Sequence, residues 1–155
     1  MINVLFVCLG NICRSPMAEA VFRNLVVTEG FADKFRIDSA GTADWHQGNS
    51  PHEGTIEILN RYEISSENIF ARQFLPTDLT EFNYVIAMDD MNVEDLEIFI
   101  DNESTAFVGK LCDFIKNSRY ENVPDPYYTG DFDETYELIL AGCRGLFDFI
   151  IEKGT

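Results

Sequence analysis

Basic side chains are scarce in this sequence. Eleven lysines and arginines stand against 27 aspartates and glutamates, which gives the 155 residues a formal net charge of −16 at pH 7. Such a charge repels nucleic acids and anionic membranes at long range. We therefore expect no nucleic-acid partner, and an anionic substrate must be bound by a local positive site.

Cysteine and histidine are also scarce. The four cysteines form no CxxC pair, and neither of the two histidines lies near them at the spacing of zinc ligands. Hydrophobic residues make up 46% of the chain, which is enough for a core that needs no disulfide or metal. We expect no metal, no cofactor and one domain over residues 1–155.

Long apolar runs and a cationic N-terminal segment are absent. The first apolar run ends at Val7, whereas a membrane span needs about 18 apolar residues and a signal peptide begins with basic residues. We therefore expect no membrane insertion and a cytoplasmic location, where thiols stay reduced. A monomer is the expected oligomeric state.

The sequence does contain an alternation of strand-like and helix-like segments. Apolar patterns predict strands over residues 2–7, 35–39, 84–88 and 107–112, and helices over residues 16–28, 51–62, 91–100 and 132–152. Ser15 and Ser50 are the expected helix N-caps, and two prolines predict a loop over residues 123–130. This order predicts an α/β three-layer sandwich, with a central, mainly parallel four-stranded sheet and helices on both faces.

The loop after the first strand combines a thiol with a guanidinium. Cys8 ends the apolar run, and Arg14 follows after five residues, just before the expected helix. Backbone N–H groups at a helix start favour an anion, and Gly10 and Asn11 tolerate the positive φ of a curled loop. Arg14 can grip two phosphate oxygens, while the same field favours a Cys8 thiolate. The pattern predicts a phosphate-binding loop that holds a nucleophile, although a bare C-x5-R spacing is also compatible with a core cysteine.

Five segments extend this pattern along the chain. They are CLGNICRSPMAEA at 8–20, IDSAGT at 37–42, ARQ at 71–73, YVIAMDDMN at 84–92 and DPYY at 125–128. In these segments and their order the sequence resembles the low-molecular-weight protein tyrosine phosphatases. The resemblance implies that family's fold, and hydrolysis of phosphotyrosine and small aryl phosphates through a cysteinyl-phosphate intermediate.

The resemblance also implies roles for individual residues. Cys8 would be the nucleophile, Arg14 would bind the phosphate and stabilise the transition state, and Asp125 would be the general acid and base. Phenolate is expelled more easily when a proton arrives with it, so the chemistry independently requires such an acid. An aspartate in a proline-rich loop is often only a turn residue, and the DPYY context is what favours catalysis. The phosphate-binding loop would comprise Leu9, Gly10, Asn11, Ile12, Cys13 and Ser15, and phosphate or sulfate ions should fit it.

The same resemblance assigns supporting roles around the loop. Asn11 and Ser15 would hold it and tune the thiolate, with Ser39 supporting them from the next strand. Many family members carry a histidine two residues before the ARQ triplet that helps to brace the loop asparagine. Ile69 occupies that position here, so we expect Asn11 to have another partner or to be held less rigidly.

Aromatic residues are candidates for the walls of a substrate cleft. Trp45, Tyr127 and Tyr128 could form a slot for a phenyl ring, since a phosphotyrosine needs an apolar cleft about as deep as its ring. Ordinary loop packing is the alternative for each of them. His46 and His52 are expected to be surface residues.

The remaining cysteines and acidic pair have simpler expectations. The family resemblance implies that Cys13 is a redox partner, so that oxidised Cys8 closes a disulfide instead of advancing to irreversible oxidation. Cys112 and Cys143 fit core patterns. Asp89 and Asp90 follow the third strand, where helix-start chemistry is favoured over a metal site.

Two other functions remain open at this level. An arsenate reductase on the same fold would need further cysteines to move a disulfide outward, and Cys112 and Cys143 are not close in sequence. A noncatalytic phosphotyrosine-binding module would not need an acid such as Asp125. Both considerations favour a phosphatase whose substrate is a phosphotyrosine protein or a small aryl phosphate.

Overall fold

The computed structural model describes residues 1–153 of the chain. Its sheet has four strands, which are β1 (Ile2–Cys8), β2 (Phe35–Gly41), β3 (Tyr84–Ala87) and β4 (Phe107–Lys110). The spatial order is β2-β1-β3-β4, and all three neighbouring pairs run parallel. The predicted sheet is therefore confirmed, with β1 and β3 at its centre.

Helices cover both faces of this sheet. They are α1 (Arg14–Thr28), α2 (Glu53–Arg61), α3 (Asp78–Glu81), α4 (Asp90–Glu97), α5 (Pro126–Thr129) and α6 (Phe132–Glu152). Helices α1, α2 and α6 contribute to the larger core cluster on one face, whereas α3 and α4 contribute to the smaller cluster on the other. The predicted three-layer sandwich is confirmed.

Strand β1 shows why the sheet lies in the middle. Val4 and Phe6 belong to the larger core cluster, while Leu5 and Val7 belong to the smaller one. Successive side chains of a strand point to opposite faces, so a central strand covered on both sides is apolar throughout. All four side chains are fully buried.

Three local predictions are wrong in detail. Neither Ser15 nor Ser50 caps a helix: α1 already begins at Arg14, and the side chain of His52 accepts a hydrogen bond from the Gly54 N–H at the start of α2. The predicted loop at 123–130 contains the short helix α5, because Pro126 occupies its first position, where a missing N–H costs no hydrogen bond. The last strand ends at Lys110, and a 3-10 turn follows over Leu111–Phe114.

None of the helices in residues 1–153 is both long enough and apolar enough to cross a membrane.

Candidate active site

The loop between β1 and α1 lies at the carboxyl ends of the central strands, where parallel sheets bind ligands. Cys8 is the last residue of β1 and pairs in register with Gly41 of β2. The N-terminus of α1 has no side-chain cap and no acidic residue in its first turn. Its backbone N–H groups are therefore available to an anion.

Asn11 and Gly41 allow the tight path of the loop. Asn11 adopts a φ of 56°, as predicted, whereas Gly10 does not take a positive φ. A Cβ at Gly41 would lie 2.8 Å from the Leu9 carbonyl oxygen, so only glycine lets β2 approach the loop this closely. The Thr42 N–H then donates to the Cys8 carbonyl oxygen at 2.9 Å, which fastens the loop to the end of β2.

The side chain of Asn11 is fully used inside the loop. Its Nδ2 donates to Ser15 Oγ at 2.7 Å and to Ser39 Oγ at 2.9 Å. Its Oδ1 accepts from the Arg72 backbone N–H at 2.9 Å. Both polar atoms of the amide are therefore hydrogen-bonded, although Ile69 stands where many family members have a histidine. The position of Ser39 agrees with the supporting role predicted for it.

Ser15 connects this network to the thiol. Ser15 Oγ lies 3.0 Å from Cys8 Sγ, and both residues are buried. Because Ser15 Oγ already accepts a hydrogen bond from Asn11, its own proton can be donated to a Cys8 thiolate, with the more distant Ala40 carbonyl oxygen at 3.5 Å as the other acceptor. Serine at this position therefore contacts the sulfur and does not cap the helix.

Arg14 lies under the site with only 3% of its side chain exposed. Its Nη1 donates to Asp89 Oδ2 at 2.6 Å and to the Val123 carbonyl oxygen at 3.0 Å, and its Nη2 contacts Asp125 Oδ2 at 3.4 Å. Burial opposes the charge, but Cys8 and the two carboxylates outweigh it and raise the pKa of Arg14 above its ordinary value. Within residues 1–153 the buried Nε has no hydrogen-bond partner.

Asp125 is held by the helix that it starts. Its Oδ1 accepts from the Tyr127 N–H at 3.0 Å, which caps α5. Its Oδ2 is the atom that contacts Arg14. The carboxylate is therefore fixed at the edge of the cleft, with one oxygen turned towards the loop.

The cleft above the loop encloses about 170 Å³. The loop residues Cys8, Leu9, Gly10, Ile12 and Cys13 line it, together with Trp45, His46, Asp125, Tyr127 and Tyr128. Trp45, Tyr127 and Tyr128 are 66%, 55% and 71% exposed. The three predicted aromatic residues therefore do meet at one opening, with open sides for a substrate ring.

Both histidines were expected to be surface residues, and this prediction is wrong. His46 lines the cleft, and its ring lies so near Gly10 that a Cβ there would be 3.0 Å from His46 Cδ2. The His52 N–H donates to the Ile12 carbonyl oxygen at 2.7 Å, and its ring stacks on Phe132 with centroids 5.2 Å apart. His52 thus supports the loop from outside. His46 lies in a polar loop, which carried no periodic signal that could have revealed its place in the cleft.

The cysteines differ in their surroundings. Cys13 is buried next to the site, and burial, reinforced by Cys8, raises the pKa of its thiol to about 12. Cys112 and Cys143 are also buried, and burial raises the pKa of both thiols. These two lie in the larger core cluster, as predicted.

Two acidic residues near the site were missed as participants. Asp89 caps α4 through Oδ1, as expected for a helix start, but its Oδ2 also binds Arg14. Its place directly after β3, the strand beside β1, was the available signal. Glu19 is buried in α1 and accepts a hydrogen bond from Ser39 Oγ at 2.6 Å. A single glutamate inside a helix gives no sequence signal of this contact.

The chain is similar to known proteins over almost its whole length. The profile of the family described as low molecular weight phosphotyrosine protein phosphatase matches residues 3–154. The chain is 51% identical over 146 residues to the low molecular weight protein-tyrosine-phosphatase YfkJ of Bacillus subtilis, covering 94% of each chain. It is 41% identical to PtpA of Staphylococcus aureus, covering 98% of this chain and 96% of the relative. The crystal structure of YfkJ superposes with a TM-score of 0.96 over 100% of this chain and 98% of that one, at 49% identity.

Proposed function

Because this chain belongs to the low molecular weight phosphotyrosine protein phosphatase family, it is a protein tyrosine phosphatase, and we propose that Cys8 is its nucleophile. One observation supports this assignment most strongly. Cys8 and Asp125 line a single cleft above the uncapped start of α1, and the buried Arg14 contacts Asp125 from beneath it. Nucleophile, cation and acid are thereby within reach of one phosphate group.

The first chemical step transfers the phosphoryl group to the enzyme. The loop N–H groups and the Arg14 guanidinium, including its unpartnered Nε, hold the three phosphate oxygens. Cys8 Sγ attacks phosphorus from the loop side, and the bond from phosphorus to the phenolic oxygen breaks. Asp125 gives its proton to that oxygen, so that a neutral phenol leaves.

The second step returns the enzyme to its starting state. The Asp125 carboxylate accepts a proton from water while the water oxygen attacks phosphorus. The sulfur–phosphorus bond breaks, and Cys8 leaves as a thiolate that accepts the proton of Ser15 in a hydrogen bond. Inorganic phosphate is released, and Asp125 again carries the proton for the next cycle.

We also propose the substrate class, the oligomeric state and the cellular compartment of the protein. The substrate is a phosphotyrosine protein or a small aryl phosphate whose ring lies between Trp45, Tyr127 and Tyr128. Phosphate or sulfate would occupy the loop when no ester is present. The protein works as a monomeric single domain in the cytoplasm, without nucleic acid, metal or cofactor. Four free cysteines support a reducing compartment.

A direct test compares purified wild type with Cys8→Ser on an aryl phosphate, with a chelator present and near pH 6. We expect phosphate release by the wild type alone, and retained binding of an oxyanion by the variant. Full activity of Cys8→Ser would overturn the nucleophile assignment. No turnover by folded, reduced wild type would favour arsenate reduction or simple binding, and arsenate-dependent oxidation of thiols would distinguish these two.

A further inference from the structure

Glu19 is a buried carboxyl group that the two chemical steps above do not use. It lies in α1, one turn after Ser15, and is only 6% exposed. Its one side-chain hydrogen bond within residues 1–153 is accepted by Oε1 from Ser39 Oγ, at 2.6 Å. This length is typical of a hydroxyl that donates to a charged carboxylate. Burying a carboxyl group with a single hydrogen bond costs free energy, so Glu19 is expected to contribute to structure or function.

The donors and acceptors in the hydrogen bonds between Glu19 and Cys8 show which proton Glu19 holds. The Asn11 amide has two donors, which go to Ser15 and Ser39, and its orientation is fixed because Oδ1 accepts from the Arg72 N–H. Ser39 Oγ therefore accepts from Asn11 and must send its single proton elsewhere. Glu19 is the acceptor for that proton. At the other end, Ser15 accepts from Asn11, and its own proton has two acceptors within reach, Cys8 Sγ at 3.0 Å and the Ala40 carbonyl oxygen at 3.5 Å, of which the sulfur is nearer.

We propose that Glu19 is a positioning residue for the phosphatase reaction, acting on Cys8 through Ser39, Asn11 and Ser15. The proposal rests on the assignment of Cys8 as nucleophile. An ionised Glu19 can only accept, so it holds the Ser39 proton and leaves Ser39 open to Asn11. The amide then keeps Ser15 turned towards the sulfur. The Glu19 carboxylate therefore stabilises the arrangement in which Ser15 donates its hydrogen bond to the departing Cys8 thiolate.

Protonation of Glu19 weakens this arrangement. A neutral carboxylic acid keeps an acceptor oxygen but loses its negative charge, so the hydrogen bond that it accepts from Ser39 becomes weaker. Burial raises the pKa of Glu19 to about 7, helped by Asp38, while Ser39, Arg23 and Arg72 act in the opposite direction. The contribution of ionised Glu19 to kcat should therefore be lost as the pH falls through about 7.

The test uses Glu19→Gln, because a glutamine side chain has the same shape and the donor–acceptor pattern of the neutral acid at every pH. We compare kcat for an aryl phosphate in wild type and variant between pH 5.5 and 8.5. The ratio of wild type to variant should be near one at the acid end and rise to about threefold to tenfold at the alkaline end, the effect of one weakened hydrogen bond. The loss should be larger in kcat than in kcat/KM, because Ser15 assists the departure of the thiolate.

Two further variants separate positioning from general effects. Glu29→Gln removes the same charge at the exposed end of α1, and its ratio should stay near one at every pH. In a Ser39→Ala background the link is broken, so replacing Glu19 by glutamine should change nothing further. The proposal would be overturned if the ratio of wild-type to Glu19→Gln kcat did not vary with pH. It would also be overturned if Glu19→Gln lowered kcat as much in the Ser39→Ala background as it does in the wild type. Both comparisons use active enzyme, so neither outcome bears on whether Cys8 is the nucleophile, which Cys8→Ser decides separately.

Discussion

The floor and the rim of the cleft are built in opposite ways. We define the floor by its reactive and bracing residues, which are Cys8, Asn11, Arg14, Ser15 and Ser39, and the rim by the residues around the opening, which are Trp45, His46, Tyr127 and Tyr128. Every floor residue is buried, and its side chain is joined to others by hydrogen bonds. Three of the four rim residues are more than half exposed, and the Tyr127 ring contacts the rings of His46 and Tyr128.

This contrast separates two tasks. A phosphate is the same group in every substrate, so a rigid, preorganised floor can match it once, without reorganisation during the reaction. The group that carries the phosphate varies, and exposed aromatic faces accept different surfaces at low cost. Substitutions on the floor should therefore affect rate, whereas substitutions on the rim should affect binding.

Replacing Arg14 by lysine should give the largest effect. An ammonium cannot reproduce the planar grip on two oxygens or reach Asp89 and the Val123 carbonyl together. We expect kcat/KM for an aryl phosphate to fall by about 10³-fold. Arg61→Lys is the matched control, because Arg61 pairs with Asp133 in an exposed position, and its activity should be unchanged. Similar losses in both variants would contradict a special role of the buried arginine.

Asp125→Asn should come next, with an effect that depends on the leaving group. The amide cannot supply a proton, so aryl phosphates with poor leaving groups should react about 10²-fold to 10³-fold more slowly. Substrates with very acidic phenols should lose much less in the same step. A series of substituted aryl phosphates measures this dependence, and equal losses across the series would argue against an acid role.

Oxidation should test the role of Cys13, which lies beside the floor. A Cys8 sulfenic acid can react with the Cys13 thiol to give a disulfide and water. After mild peroxide and then a thiol reductant, the wild type should regain most activity, whereas Cys13→Ser should recover at least about fivefold less because Cys8 oxidises further. Peptide mapping should find the bond between Cys8 and Cys13. Equal recovery of the two proteins would reject the protective role.

A rim substitution should have a smaller and different effect. Tyr127→Leu removes an aromatic face from the cleft but keeps the N–H that Asp125 accepts from. We expect KM for an aryl phosphate to rise about fivefold, with kcat within about twofold of wild type. Tyr62→Leu offers a control tyrosine away from the cleft, where Tyr62 stacks on Tyr136. A loss confined to kcat would show that floor and rim are not separable.

Glu19, which lies behind the floor, should make stability depend on pH, and this is the smallest effect. The pKa of Glu19 rises from 4.5 to about 7 on folding, so between these values the native protein holds a proton that the unfolded chain has released. The free energy of unfolding therefore falls as the pH rises through this window, by about 2 kcal/mol. Urea unfolding at pH 5 and pH 8 measures the difference. Glu19→Gln should remove it, and Glu29→Gln should retain it.

The sequence predicted the contiguous part of the site best, for a physical reason. The strand, loop and helix around Cys8 and Arg14 are contiguous, so their residue types report their local conformation directly. Contacts between distant segments carried no such signal. Asp89 meets Arg14 across 75 residues, and it could be predicted only as a helix cap. His46 was missed because its contact with Gly10 depends on the path of an irregular loop.

The misassigned helix caps have a related explanation. Serine before proline is typical of a helix start, and this pattern predicted Ser15 and Ser50 as caps. At Ser15 the hydroxyl instead contacts the thiol, because a network through Asn11 competes for it. Local preference cannot reveal such a competitor. Ile69 left two outcomes open, another partner for Asn11 or a less rigid loop, and the Arg72 backbone N–H is that other partner.

Helix α5 has a mechanical consequence for selectivity. Its second residue, Tyr127, donates its backbone N–H to the carboxylate of Asp125, and the two tyrosines that border the opening lie on the same turn. The proton donor and the surface that touches the substrate ring are thus parts of one small rigid body. A ligand that pushes these tyrosines aside also carries the donor away from the leaving oxygen. Substrates that displace the tyrosines should then bind with little cleavage, because this single turn couples the fit of the ring to the position of the proton donor.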